Sequence, residues 1–307
     1  MHRLAILLKS YRGDLALAER LLQSFNRHNV NGLPLYCIVP DDDLELFRHL
    51  ANDDVTLLRE SLFADHLVAG PLAGLRQGYI NQEIVKLAFH ELALAENYFC
   101  VDSDAEFIRE LSESDFIAPD GFPYSVLVED NDLKSDPVYY RQHWRDREPS
   151  LRKIARLIGY EDPVLRTCHG HQVMSSAVLR SFVSDFLRPR GWDYGDALAE
   201  SPYEFTWYNT WLLKSQVIPV YQREPLVKVF HHEGQHQEAL LRGLTYDDLA
   251  RGYLAVVVNA NFARELDLAP RDATKPQALA PYLSYGEVGQ LLKAKAGNTY
   301  RRRFGRG

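Results

Sequence analysis

The sequence predicts an α/β fold, in which a mostly parallel sheet is flanked by helices and followed by a helical C-terminal extension. Short apolar runs at residues 4–8, 35–39 and 55–58 have the composition of buried strands. Apolar side chains recur at helical spacing over residues 15–28, and a second helix is expected at residues 44–50. Strands that alternate with helices at this spacing are typical of a doubly wound sheet.

An acidic pair follows a fourth predicted strand. Residues 98–101 are two aromatic residues, a cysteine and a valine, a composition that favours a strand. Asp102, Ser103 and Asp104 come directly after them. Two carboxylates at the end of a buried strand are costly without a cation or hydrogen-bond donors. Because ligands of open α/β sheets gather at the carboxyl ends of strands, we expect a binding site here. Such oxygen-rich sites suit Mg²⁺ or Mn²⁺. The alternative is a solvated acidic turn.

A largely apolar helix is predicted from residue 78 to about residue 95, before the acidic pair. Gln82 and Lys86 lie four positions apart and therefore share a face of this helix. A buried Lys86 needs a counter-charge, which Asp102 and Asp104 or a bound phosphate would supply. The alternative is that Lys86 reaches solvent along its aliphatic stem.

Three consecutive acidic residues, Asp41, Asp42 and Asp43, stand between the second strand and the second helix. Carboxylates are favoured at helix N-termini. We therefore interpret the triplet as a helix cap in preference to a metal site.

Composition restricts the class of protein. The 307 residues, 46% of them hydrophobic, suffice for one large domain or two fused ones. The net charge of -7 argues against nucleic-acid binding. Cys37, Cys100 and Cys168 are too widely spaced for a zinc ribbon or a disulfide framework, and the first two are expected to be buried.

The two ends of the chain bear on location. The apolar run near the N-terminus is too short for a signal peptide or a membrane span, so we expect a cytoplasmic protein of bacterial type. Residues 237–307 are predicted to be mostly helical, with proline breaks. Residues 293–306 are basic, and this tail could touch anionic lipid at the inner face of the membrane.

The second half of the chain is less regular. A charged helix is expected at residues 141–158. His169 and His171, followed by Gln172, lack a cysteine or carboxylate partner at metal-ligand spacing. We favour a substrate contact for these histidines over a metal site, with a purely structural role as a further alternative.

Two later stretches carry candidate functional groups. Ser201, Pro202 and Glu204 have the pattern of a capping box at the start of a helix, which would explain Glu204 without any catalytic role. After strands at residues 217–221 and 226–230 come His231 and His232, candidates for a metal site or a phosphate clamp. These strands complete a predicted domain of residues 1–235, with residues 236–307 as the extension.

Three motifs in this order resemble the GT-A fold glycosyltransferases, whose Rossmann-like domain binds nucleotide sugars. They are KSYRGD after the first strand, GYINQEIVKL on the helix, and YFCVDSDAEF. Over residues 1–235 the chain resembles, more closely, a little-characterised bacterial family of proposed polysaccharide glycosyltransferases. The D-x-D after a strand is the most specific mark of the resemblance.

The resemblance implies a function and a set of roles. The donor would be a UDP-sugar, and the acceptor a glycan or a lipid-linked glycan. Asp102 would face the ribose or a metal-bound water, Asp104 would ligate Mn²⁺ or Mg²⁺, and His231 or His232 would be a further ligand. The nucleotide would contact selected residues of all three motifs: Ser10, Tyr11, Asp14, Gln82, Lys86 and Ser103.

The chemistry of sugar transfer suits these residue types. A divalent cation stabilises the charge that develops on the diphosphate leaving group. If the reaction inverts the anomeric centre, a carboxylate must take the proton of the acceptor hydroxyl, and Glu204 is the candidate. Trp207 and its aromatic neighbours would pack against a sugar, as part of an acceptor site with His169, His171 and Gln172. If configuration is retained, no such base is needed.

Two other classes of protein remain open from the sequence. A metal-dependent phosphoester hydrolase would use the same carboxylates and histidines to activate water. A non-catalytic carbohydrate-binding protein would keep the fold without turnover. The presence of both Asp102 and Asp104 weighs against the second of these classes.

Overall fold

A computed structural model describes residues 1–127, 137–160, 171–231 and 233–259, together with isolated positions between 285 and 296. Its main sheet has five strands in the order β3-β2-β1-β4-β7. All neighbours are parallel except β7, which runs antiparallel to β4 at the edge. The strands are β1 His2–Lys9, β2 Leu35–Val39, β3 Val55–Arg59, β4 Ala95–Val101 and β7 Val173–Ser175. The predicted α/β fold with a mostly parallel sheet is therefore confirmed.

The strand order reverses direction at β1. The chain passes outward from β1 through β2 to β3 and then returns to place β4 on the other side of β1. Ile6 is therefore paired with Leu35 on one side and with Phe99 on the other. A reversal of this kind opens a crevice at the carboxyl ends of the two strands that flank it, and this crevice is where ligands bind in such sheets.

Helices cover both faces of the sheet. In the first helix Ala18, Leu21, Leu22 and Phe25 are buried at helical spacing, which explains why this segment folds against the sheet. The third helix is buried on nearly all sides, as expected. The helices are α1 Leu15–His28, α2 Leu44–Phe47, α3 Gln77–Ala88, α4 Pro137–Ile158, α5 Ser176–Ser181, α6 Tyr194–Glu200, α7 Glu204–Ser215, α8 Glu233–Leu241 and α9 Tyr246–Leu249.

Two hydrophobic cores lie on the opposite faces of the main sheet. Because alternate residues of a strand face opposite sides, Ala5 and Leu7 of β1 pack into one core, and Leu4, Ile6 and Leu8 into the other. The first core contains the buried face of α3, and the second that of α1. The free cysteines Cys37 and Cys100 are buried as predicted, whereas Cys168 lies outside the described residues.

A second sheet of three strands, in the order β5-β10-β9, adjoins the acidic pair. Its strands are β5 Ala105–Phe107, β9 Val227–Phe230 and β10 Ala255–Val258. Two short strands, β6 Tyr124–Ser125 and β8 Tyr221–Gln222, form a separate ribbon. The prediction of a mostly helical segment after residue 235 is wrong at β10. Its β-branched run completes the second sheet between β5 and β9.

Several predicted boundaries also differ. Helix α3 ends at Ala88 rather than near residue 95, because a short 3₁₀ turn and the left-handed residue Ala93 stop it. Ala95 already belongs to β4. The acidic triplet does not cap α2 through its side chains, since Asp43 instead accepts hydrogen bonds from the backbone and guanidinium of Arg12.

No helix in the described part of the chain is long and apolar enough to cross a membrane.

Candidate functional site

A cleft of about 680 Å³ opens at the carboxyl ends of β1 and β4, where the strand order reverses. This is the position that the topology of an open α/β sheet predicts for a ligand site. Most residues that the sequence singled out lie together on its walls. They are Ser10, Tyr11, Asp14, Gln82, Lys86, Asp102, Ser103, Asp104, His171, Glu204 and His231.

The ends of β1 and β4 are joined by side chains. Ser103 Oγ donates a hydrogen bond of 3.0 Å to Ser10 Oγ, and both serines are buried. Lys9, the last residue of β1, donates to the backbone oxygen of Ser10 at 3.0 Å and pairs with Glu60 Oε1 at 3.1 Å. The hydroxyl pair thus fixes the two strand-end loops against each other, and the lysine ties the first of them to Glu60.

In the loop after β1, Gly13 leaves room for a neighbouring aromatic ring. A Cβ atom at Gly13 would overlap the aromatic ring of Tyr11, so only glycine leaves this ring its place. Tyr11 itself is 38% exposed and lines the cleft. Its ring therefore lies against the backbone at Gly13. Tyr11 belongs to the KSYRGD motif, which the resemblance to glycosyltransferases assigns to the nucleotide.

Lys86 lies at the centre of the site's charges. Its ammonium is 3.0 Å from Glu204 Oε1, 3.3 Å from Asp102 Oδ1 and 3.3 Å from Glu83 Oε2. Burial by itself lowers the pKa of Lys86, but Asp102, Glu204 and Glu83 outweigh it, and the pKa lies well above its usual value. Lys86 is buried, and Asp102 is one of the counter-charges that the sequence predicted, whereas Glu83 and Glu204 were not predicted as its partners. The alternative, a solvent-exposed ammonium, is wrong.

Three side chains lie close to the carboxylate of Asp102. Lys86 contacts Oδ1, Gln82 Nε2 donates to the same oxygen at 3.3 Å, and His171 Nε2 lies 3.8 Å from Oδ2. Loss of hydration raises the pKa of Asp102, but the opposing effects of Lys86 and then His171 are together larger. The pKa of Asp102 is therefore lowered overall. The carboxylate is thus held in its ionised form, with its side chain still 36% exposed to the cleft.

Glu204 is not part of a capping box. Helix α7 begins at Glu204 itself, its N-terminal cap position is Tyr203, and no side chain provides a cap hydrogen bond there. The backbone oxygen of Ser201 accepts instead from Trp207 Nε1 at 2.9 Å. Glu204 is free to turn inward because the capping geometry is absent, and it receives the hydrogen bond of Lys86.

The second sheet brings Asp104 and His231 to one edge. In the register of β10, Val257 pairs with Ala105 and Val258 with Phe230. Asp104 precedes Ala105 and His231 follows Phe230, so both lie beside the end of β10, where Asn259 N donates to Phe230 O at 2.9 Å. All three of these strand-end residues, Asp104, His231 and Asn259, line the cleft.

The donor set at this edge fits a divalent cation that takes part of its coordination from a ligand. Within the described part of the chain, no three His, Cys, Asp or Glu side chains are grouped closely enough to form a complete metal site. Mg²⁺ is commonly held by one or two carboxylates together with substrate phosphates and water. The carboxylate of Asp104 is a ligand type that suits Mg²⁺ or Mn²⁺, and the imidazole of His231 is a further nitrogen ligand type on the same cleft wall.

Two of the predicted acceptor contacts are wrong. Trp207 is completely buried among the aromatic rings of Phe182 and Phe186, and it does not reach the cleft. Gln172 is also fully buried away from the cleft, because it continues directly into the edge strand β7. His169 and His232 lie outside the described residues, so the choice between His231 and His232 stays a prediction.

Sequence reasoning missed other charged residues on the cleft walls: Lys9, Glu60, Arg76, Glu83 and Arg147. Two of them carried a readable signal. Lys9 directly follows the first predicted strand and directly precedes Ser10. Glu83 precedes Lys86 by three positions on one helix, which places the two side chains on neighbouring parts of its surface. Arg147, by contrast, enters the site only through the packing of α4, where it lies 5.2 Å from the ring of Tyr203.

The chain is similar in structure to two solved sugar transferases. Mouse xyloside xylosyltransferase 1 in its apo form matches with 13% identity over 84% of this chain and 98% of that chain, at a TM-score of 0.44. The galactosyltransferase LgtC in complex with donor and acceptor sugar analogues matches with 11% identity over 94% of this chain and 95% of that chain, at a TM-score of 0.49. At these identities and TM-scores, the similarity does not show which ligands the cleft binds or which residues react.

Sequence comparisons identify the family instead. A comparison with curated proteins gives no match. The family of unknown function DUF6492 matches residues 4–234. This match runs from the first strand through β9 to His231 at the edge of the cleft, and thus contains every site residue discussed above except Asn259. The chain therefore belongs to the family of unknown function DUF6492.

Proposed function

We propose that the protein is a glycosyltransferase whose cleft binds a nucleoside diphosphate sugar, most specifically a UDP-sugar. The observation that carries this proposal is the D-x-D pair at the end of β4, beside the end of β1, where the strand order reverses. A cleft of about 680 Å³ is of the size that small-molecule sites have in proteins.

The donor half of the site would divide into two parts. Ser10, Tyr11 and Asp14 after β1 would contact the nucleoside, with Ser103 supporting this loop through Ser10. Asp102 would face the ribose, because Lys86 and Gln82 already occupy its Oδ1 atom and orient the carboxylate.

The diphosphate would lie at the edge where β4 and the second sheet meet. Asp104 and His231 would hold Mn²⁺ or Mg²⁺ there, with His232 as the alternative to His231. When bound, the cation supplies Lewis-acid stabilisation to the departing diphosphate. Lys86 would offset part of the carboxylate charge on this wall, from a fixed position that costs no reorganisation during the reaction.

The acceptor would be a glycan or a lipid-linked glycan. Its hydroxyl oxygen would attack the anomeric carbon while the bond from that carbon to the diphosphate breaks. If this step inverts the configuration, the hydroxyl proton must pass to a base, and Glu204 is the carboxylate we assign to this role. His171, on the same wall as Asp102, would contact the acceptor sugar together with His169.

The experiment that tests this function is a thermal-shift screen of nucleotides, with and without manganese. A ligand that binds only the folded protein raises the midpoint of unfolding by mass action. We expect UDP with manganese to give the largest rise. Donor consumption is then compared with and without acceptor oligosaccharides: a transferase needs the acceptor, whereas a phosphoester hydrolase turns over without one. No stabilisation by any nucleotide would contradict the proposal.

A further inference from the structure

Three carboxyl groups surround one buried ammonium at the inner end of the cleft. Glu83, Glu204 and Asp102 all lie within 3.3 Å of Lys86 Nζ. The side chains of Glu83, Lys86 and Glu204 are only 4%, 6% and 7% exposed. With every group ionised, this cluster would carry two uncompensated negative charges in a poorly hydrated place, which is energetically costly.

The contact between Glu83 and Glu204 requires a proton. Both carboxyl groups contact the same ammonium, at 3.3 Å and 3.0 Å, and they face each other beside it. Ionised carboxylates can only accept hydrogen bonds, so a hydrogen bond between the two requires an O–H on one of them. Glu204 already accepts from Lys86 at 3.0 Å, whereas Lys86 lies further from Glu83, at 3.3 Å. The proton therefore belongs on Glu83.

We propose that Glu83 is a positioning residue that is protonated at neutral pH and donates its O–H to Glu204, and that it thereby holds Glu204 against Lys86. Protonation leaves the cluster with one negative charge instead of two. This matters for the proposed function, on which the consequence rests, because a doubly negative cluster would repel the diphosphate of the donor. Glu83 thus keeps the base and the cation in place without adding charge.

The groups that face Glu83 agree with this assignment. They are Lys86 and Tyr79 on α3 itself, Glu204 on α7, and Asp102 at the end of β4. Burial and then the neighbouring Glu204 raise the pKa of Glu83 well above its usual value, and the opposing effect of Lys86 is smaller. A group whose pKa is raised in the folded state stabilises the fold at low pH, and this contribution is lost as the pH rises through the raised pKa.

Infrared spectroscopy of the ligand-free protein tests the proton directly. At neutral pH we expect a carbonyl stretching band of a buried, protonated carboxylic acid in the parent protein. The band should vanish in Glu83→Gln and persist in Glu113→Gln, a control whose side chain is 40% exposed on the surface. A parent without the band, or a Glu83→Gln variant that keeps it, overturns the proposal.

Nucleotide binding tests the positioning role. Glutamine has the shape of the protonated acid and can still donate to Glu204, so Glu83→Gln should bind UDP with manganese much as the parent does. Glu83→Met cannot donate and should bind at least about tenfold more weakly, a loss of about 1.4 kcal/mol. Equal affinity of the two variants overturns the role. If no variant binds UDP at all, the glycosyltransferase proposal fails, while the infrared result still decides the proton on Glu83.

Discussion

Lys86 on α3 and Glu204 on α7 form a buried ion pair of 3.0 Å between residues 118 positions apart in the sequence. The pair joins two helices that line the same cleft, and Asp102 extends it to the end of strand β4. Buried ion pairs add little net stability compared with an apolar pair, but the loss of one partner leaves an uncompensated charge behind. The stability of a variant that lacks Lys86 therefore tests whether the pair is buried.

Replacing Lys86 by methionine should destabilise the protein strongly. The variant leaves the buried carboxylates around position 86 without their cation, and such a loss costs about 3–5 kcal/mol. Urea denaturation at neutral pH measures the free energy of unfolding. The matched control is Lys153→Met, because Lys153 forms a 2.8 Å pair with Glu200 whose side chains are 44% and 37% exposed. Breaking that pair should cost at most about 1 kcal/mol. Equal losses in the two variants would contradict a buried cluster.

Glu204→Gln should separate the catalytic assignment of Glu204 from a purely structural one. Glutamine still accepts the hydrogen bond of Lys86, but it cannot take the acceptor proton. As the base of an inverting transfer, this position should lose about a hundredfold or more in turnover, with UDP affinity kept. Turnover with a responsive acceptor and NMR of the product anomer are the measurements. An active variant, or a product that keeps the donor configuration, would refute the assignment.

His231→Ala should weaken manganese binding without unfolding the protein. The register of the second sheet places His231 and Asp104 on either side of the end of β10, which is the reason to prefer His231 over its neighbour. His232→Ala is the matched control and should bind manganese like the parent in the presence of UDP. Calorimetric titration with the metal measures both. The reverse pattern would move the ligand to His232, and two silent variants would place it elsewhere.

His90 should make the fold sensitive to acid. Its ring is buried beside the hydroxyl of Tyr194, and burial lowers its pKa from 6.5 to about 4. The unfolded chain therefore binds a proton at a higher pH than the folded one. The resulting contribution is fully present above pH 6.5 and is lost as the pH falls to about 4, a loss of about 3 kcal/mol.

The His90→Gln variant tests this dependence because glutamine does not titrate. The free energy of unfolding of the variant, measured in urea between pH 4 and 7, should fall less steeply with acid than that of the parent. His49→Gln, at an exposed position near Glu19, serves as the control and should keep the parental slope. A slope unchanged by the loss of His90 would contradict the buried, neutral histidine.

Local pattern was sufficient for much of the framework. Helix α1 and strand β2 have the predicted bounds, because their apolar spacing is complete within the segment itself. The D-x-D pair could be placed at a ligand site since a strand end in a parallel sheet has a known environment. The strand β10 was missed, although its run of valines favours a strand, because the surrounding segment was interpreted as helical.

Partners that are distant in sequence explain the failures. Nothing near Glu204 indicates that its side chain meets Lys86 rather than a capping position, because the pairing depends on how α3 and α7 pack. Trp207 has the composition of a sugar-stacking residue, but a tryptophan on a helix is equally suited to a core, and here it lies against Phe182 and Phe186. Such choices between surface and interior follow from tertiary packing alone.

The most direct test of the central claim is the calorimetric titration of UDP, first with manganese and then with a chelator. We expect binding with manganese and a large loss of affinity with the chelator. Asp104→Ala should abolish most of the metal-dependent part, because Asp104 is the carboxylate proposed to hold the ion. Asp42→Ala, in the acidic triplet before α2, should bind like the parent. Equal UDP affinity with manganese and with chelator would contradict the metal-dependent nucleotide site on which this account rests.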